Sequence, residues 1–175
     1  MQRQYSTQKW MRKGLAFLLV LVVAAAAWYG MLRAGADAQQ ITCWAMCKPG
    51  SRINIHMTPS EGGIKTGYLE CGDTFQTDAE ERDGWIRCYG AGENGWIYCG
   101  YVSMEPVQQV GQRYVCVAKR QVACRRWMNG PQIENNKRKQ WLKNGENVQV
   151  FCMGDGWAVT SKGYIQSEWL EVDPE

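Results

Sequence analysis

One phrase occurs twice in this chain and restricts what it can become. Asp83-Gly84-Trp85-Ile86-Arg87-Cys88 leads into Glu93-Asn94-Gly95-Trp96-Ile97-Tyr98-Cys99-Gly100-Tyr101-Val102. Near the C-terminus, Asp155-Gly156-Trp157-Ala158-Val159-Thr160 leads into Lys162-Gly163-Tyr164-Ile165-Gln166-Ser167-Glu168-Trp169-Leu170. Each copy reads as two short strands around a glycine-rich turn, with Asp-Gly or Asn-Gly supplying the positive φ angles of a tight reversal. A hairpin written twice predicts two small β domains.

The match extends upstream. Leu69-Glu70-Cys71-Gly72-Asp73 lies over Leu142-Lys143-Asn144-Gly145-Glu146, and each enters an alternating strand, Thr74–Thr77 or Asn147–Val150. Further back, residues 52–56 lie over 121–125, which places Cys47 on Cys116; downstream, Tyr101-Val102 falls on Trp169-Leu170. The predicted organisation is a first unit at 39–106, a short linker at 107–112 and a second unit at 113–175. A unit of roughly 60 residues buries only about 60% of its unfolded surface. Seven of the nine tryptophans and six of the eight tyrosines fall in these two units, and they supply large apolar area to such small cores. Ile53, Ile55, Leu69, Phe75, Ile97 and Val102, with Val122, Leu142, Val148, Val150, Ile165 and Leu170, are the expected core.

Residues 1–38 read differently. Arg3, Lys9, Arg12 and Lys13 precede an apolar run over 15–32, and Ala36-Asp37-Ala38 follows. That is the order of an export signal, with cleavage expected after Ala38. The competing reading is an uncleaved helical anchor, since about 20 apolar residues span a bilayer. Both deliver the rest of the chain outside the cytoplasm, secreted or held at the envelope by residues 15–32. Without the leader, 15 basic and 16 acidic side chains remain. A near-neutral exported chain argues against nucleic acid as a partner, and leaves the membrane a role only through the N-terminal segment.

The ordered set Ile-Asn-Ile-His-x-x-Pro-Ser, Gly-Tyr-Leu-x-x-Gly-Asp, Asp-Gly-Trp-Ile-Arg-Cys and Gly-Trp-Ile-Tyr-x-x-Tyr-Val resembles bacterial SH3-like domains of the SH3b type. The second unit resembles a divergent member, with Trp127-Met128-Asn129-Gly130-Pro131 where the first has Met57-Thr58-Pro59-Ser60. The resemblance implies an all-β protein of two tandem SH3-like barrels, and modules that commonly bind peptidoglycan or peptides. It also places Trp85, Tyr98 and Tyr101 along a shallow groove, with Trp157, Gln166 and Trp169 as the counterparts. Aromatic faces with polar tips suit sugar or peptide recognition; the simpler account is that these rings cover a small core.

Arg125, Arg126, Lys137, Arg138, Lys139 and Lys143 make the second unit's long loop basic, either a surface for an anionic polymer or a solvated face. The eight cysteines stand at 43, 47, 71, 88, 99, 116, 124 and 152. An even number in an exported chain favours disulfides, and five against three requires one bridge between units for full pairing. Cys88 and Cys124 also suit buried apolar positions as free thiols. A zinc site from Cys43, Cys47, His56 and Cys71 fits no common ligand spacing. No Ser-His-Asp order, phosphate loop or zinc-hydrolase helix is visible, so no catalytic residue, metal or cofactor is expected. The expected function is non-catalytic recognition of cell-wall peptidoglycan or another envelope polymer. The alternative is a secreted or anchored scaffold that docks an envelope protein or peptide.

Overall fold

The computed structural model describes residues 40–90 and 94–174. The leader expected at 1–38 lies outside the described residues, and no helix within them is long and apolar enough to cross a membrane. The fold is all-β. The first half contains β1 (Ile41–Ala45), β2 (Ile53–His56), β3 (Lys65–Leu69), β4 (Thr74–Thr77), β5 (Glu81–Arg82), β6 (Trp85–Cys88) and β7 (Gly95–Tyr98), then a 3₁₀ turn (Cys99–Tyr101) and β8 (Val102–Ser103). The second contains β9 (Gln108–Cys116), β10 (Val122–Ala123), β11 (Glu134–Asn135), β12 (Arg138–Lys139), β13 (Trp141–Leu142), β14 (Asn147–Gly154), β15 (Trp157–Thr160) and β16 (Gly163–Gln166), then a 3₁₀ turn (Ser167–Trp169) and β17 (Leu170–Val172).

Pairing repeats between the halves. β2 meets β3 with Ile53 opposite Leu69, and β10 meets β13 with Val122 opposite Leu142. His56 stands opposite Trp96 as Arg125 stands opposite Tyr164. Trp85 faces Tyr98 across β6 and β7, and Trp157 faces Gln166 across β15 and β16. The expected turns form at Asp83-Gly84 and Asp155-Gly156, where all four residues have positive φ, the requirement of a two-residue hairpin that follows strand twist. Gly95 does something else. It starts a strand, and a Cβ there would lie 2.5 Å from Ile55 Cγ2; at Gly163 a Cβ would lie 2.6 Å from the Arg125 carbonyl. These two glycines permit close strand approach; the Asn94-Gly95 pair is not a reversal.

Two details depart from the sequence reading. Val102 pairs with Ala45, and Leu170 pairs with Cys116, so Cys116 is the counterpart of Ala45 and not of Cys47. A slip of two residues leaves every side chain on the same face, so alternation cannot detect it. The segment 107–112 is not a free linker: from Gln108 onward it belongs to β9, with Gln109 opposite Cys152 and Gln112 opposite Val150.

Each half has its own core. Ile55 and Ile97 are fully buried in the first, Leu142, Val150 and Ile165 in the second. All twelve expected core residues pack in these clusters, Val122 at the margin of its own. Each fully buried Ile or Leu contributes about 1.5–3 kcal/mol. A third cluster joins the halves, built from Met46, Met128, Cys152, Trp157, Val159 and Tyr164. At its centre the Tyr164 hydroxyl donates to the Met46 carbonyl at 2.6 Å, both buried. The described residues accordingly form one compact unit.

Candidate functional site

A continuous run of aromatic rings crosses from the first half to the second. His56 closes β2, and its Nδ1 donates to the Ser60 carbonyl at 2.8 Å, which fixes the ring. The ring lies 4.9 Å from Trp85. Trp85 meets Tyr98 edge-on at 5.6 Å, and Tyr98 meets Tyr101 at 6.1 Å and Trp127 at 5.2 Å. Tyr101 also contacts Trp127 and Tyr164, each at 6.1 Å. Edge-on pairs of this kind add about 0.5–1.5 kcal/mol each beyond burial, so the rings hold one another rigidly.

The 3₁₀ turn at 99–101 decides how closely the halves meet. Gly100 accepts a hydrogen bond from the Met128 amide at 3.0 Å. A Cβ at Gly100 would stand 2.2 Å from Trp127 Cδ1. Glycine is therefore required here by contact, to let the indole lie on the turn.

Two adjoining hollows open over these rings, of about 360 and 210 Å³. Both share Asn54, His56, Trp85, Tyr98 and Tyr101. The larger reaches Lys48, Arg52 and Tyr164; the smaller reaches Glu61, Lys65 and Trp127. The larger is within the range of small-ligand sites, concave and aromatic with a few polar groups. Burial raises the Tyr101 phenol, and raises Tyr164 further, so at neutral pH both keep their protons as donors. Cys47 lines the larger hollow as a thiol: its hydrogen bond with Cys71, and then burial, push its pKa well up.

The structure thus brings Trp85, Tyr98 and Tyr101 together as expected, with one qualification of role. Trp85 is 7% exposed and forms the wall, while Tyr98 and Tyr101 are half-buried and accessible. His56, Trp127 and Tyr164 belong to the same cleft and were not anticipated. The usable signal for Tyr164 is its place after Gly163, matching Trp96 after Gly95; nothing local marks Trp127, whose partners lie across the junction.

The second trio makes no second cleft. Trp157 is buried in the joining cluster and lines another hollow with Met104 and Trp127. Trp169 packs against the second core and borders a separate hollow formed by residues 117–123. Gln166, opposite Trp157 in the ladder, accepts at Oε1 from the Trp169 indole N–H at 3.4 Å. The predicted basic patch is also divided in role. Arg125 is half-buried and donates from Nη1 to the Gly130 carbonyl at 2.6 Å, a structural use. Lys137, Arg138 and Lys139 are exposed on a hairpin formed by β11 and β12, where a long loop was expected, with Glu134 opposite Lys139. Arg126 and Lys143 are also exposed.

All eight cysteines are free thiols. Cys88 and Cys124 are fully buried, as apolar positions predict, and burial pushes their thiols up to about 12 and about 11. Cys43, considered as a zinc ligand, is enclosed in the first core and contacts Met104 Sδ at 3.3 Å. Among the described residues no group of three or more His, Cys, Asp or Glu is arranged to hold a metal.

No family model matches the chain, and no curated protein matches it. Among solved structures it is similar to NlpC2 from Trichomonas vaginalis, at 12% identity and a TM-score of 0.31, over 79% of this chain and 50% of that one. It is similar also to NlpC1 from the same organism, at 13% identity and 0.30, over 79% and 48%. The chain spans about half the length of each. At these scores the likeness does not bear on what the chain does.

Proposed function

We propose that the protein is a non-catalytic binding protein of two tandem SH3-like modules, carried outside the cytoplasm by residues 1–38, that recognises cell-wall peptidoglycan or a related envelope polymer. The observation that carries this reading is the ring-lined cleft with a charged rim. Sugar C–H faces stack on Tyr98, Tyr101 and Trp127. Asn54, Glu61, Lys65 and Arg52 meet the amides, ammonium groups and carboxylates of attached peptides.

Co-sedimentation with purified peptidoglycan tests the proposal. The wild-type chain co-pellets, and Tyr98→Ala weakens binding roughly tenfold, within the roughly 1–3 kcal/mol of a stacked aromatic, while the far-UV circular dichroism spectrum stays native. Failure to pellet, with binding to an envelope protein or peptide instead, would favour the scaffold reading. Release of soluble fragments by the purified chain would overturn the non-catalytic assignment.

A further inference from the structure

Three cysteines gather where the halves meet, and the repeat does not account for them. By the observed pairing, the counterpart of Cys47 is Ala118 and that of Cys71 is Asn144. Cys152 lies on a part of β14 that extends beyond the first half's β4. A bulge there, between Val150 and Cys152, gives β14 one residue more than β15. Val148 and Val150 face the second core; beyond the bulge Met153 does so, and Cys152 turns instead into the joining cluster. The inserted residue reverses which side chains point to which face.

This brings Cys152 Sγ to 3.2 Å from Cys71 Sγ, 81 residues away in sequence. That is about an ångström more than a bonded separation of about 2.05 Å. Cys47 is the third member of the group: its thiol is shared between Cys71 and the Ser51 carbonyl, the latter at 3.5 Å, and Cys152 approaches the Cys47 carbonyl at 3.6 Å, not its sulfur. Cys71 is half-exposed, whereas Cys47 and Cys152 are buried.

We infer that Cys71 and Cys152 are a cross-linking pair, joined under oxidising conditions into a disulfide that fastens the two halves across the junction. Cys71 is the least buried of the three, and hydrogen bonds with Cys152 and Cys47 lower its pKa, so Cys71 is the sulfur that attacks first. It attacks a low-molecular-mass disulfide, forming a mixed disulfide and releasing one thiolate. Cys152 then gives up its proton and attacks Cys71 Sγ, expelling the second thiolate. In balance, two protein thiols and one external disulfide give one protein disulfide and two external thiols. The cross-link stands beside Cys47 at the floor of the cleft, so its closure stiffens the site.

Tryptic mapping of the full chain, equilibrated with oxidised glutathione and alkylated before digestion, tests this. Residues 66–82 and 144–162 form tryptic peptides with one cysteine each, so their linkage is unambiguous. The expected result is that linked pair, together with a melting temperature about 10 °C higher than under dithiothreitol, for a loop of this length. Cys47→Ser keeps the pair and the shift; Cys71→Ser and Cys152→Ser lose both. A linkage of Cys47 to either partner, or a wild-type chain with all eight thiols alkylated after oxidation, overturns the inference even if a variant fails to fold.

Discussion

The two halves are one design carried out twice, and they differ most where they touch. Their turns are equivalent to the hydrogen bond: the Glu70 amide donates to Asp73 Oδ2 as the Lys143 amide donates to Glu146 Oε2. In the first half β4 has four residues and meets the next hairpin through a single bridge, Gln76 with Tyr89, so the strands divide into two sheets. In the second, β14 has eight residues and β9 nine, and five strands stay in one sheet. The extra length forms the joining surface. The first half contributes the half-buried Tyr98 and Tyr101 to the cleft, and the second contributes Trp127 and Tyr164 as its far wall. The cores are alike, and the surfaces that meet between them are complementary.

The comparison breaks first at the cores. Ile97 and Ile165 are equivalent and both fully buried. Ile97→Ala and Ile165→Ala are each expected to cost about 2–5 kcal/mol in urea unfolding. Because Tyr164, Met46 and Trp127 bind the halves together, each variant should retain a single transition. Two separated transitions would show that the halves fold independently. The next effect concerns the 3₁₀ turns, where Gly100 corresponds to Glu168. Gly100→Ala forces Trp127 off the turn and costs about 1–3 kcal/mol, as overpacking does. Glu168→Ala, at an exposed position, stays within about 0.5 kcal/mol. Equal effects at the two sites would mean that Trp127 does not rest on Gly100.

Tyr98→Gln installs the residue that the second half carries at 166. It should weaken peptidoglycan binding by about tenfold or more, measured by co-sedimentation, while costing about 1–3 kcal/mol of stability, since Tyr98 meets three rings, Trp85, Tyr101 and Trp127. The smallest effects are electrostatic. The Tyr89 hydroxyl donates to Asp78 at 2.7 Å and holds its carboxyl below the usual range. Lys162 does the same for Glu146. A carboxyl depressed in the folded state adds stability above its unfolded pKa, about 3.9 for Asp and 4.3 for Glu. That stability disappears as pH falls through the lower folded value. Tyr89→Phe and Lys162→Met should therefore each lose about 0.5 kcal/mol at pH 7 and converge with wild type near pH 2, read from urea midpoints. A difference that grows on acidification would contradict the assignment.

Much of the fold was legible because small β domains write their constraints locally. Alternating Ile53 and Ile55, Val148 and Val150, and the Asp-Gly turns identified strands, core and reversals. The first aromatic trio was legible for the same reason: Trp85, Tyr98 and Tyr101 come from one hairpin and its following turn. The second trio misled, because equivalence in sequence says nothing about which neighbour covers a position. Trp157 occupies the place of Trp85, yet it is buried against the first half.

The chain's own pattern was enough to determine an all-β protein, its duplicated order of strands and its two cores, since each depends on period-two alternation and on turns of a few residues. Tertiary structure alone decided the rest. The bulge before Cys152 reversed the facing of the strand end, Gly100 admitted Trp127, and residues 108–112 became strand through pairing with β14. Each of these depends on contacts between residues far apart in sequence, and short-range periodicity carries no record of such contacts.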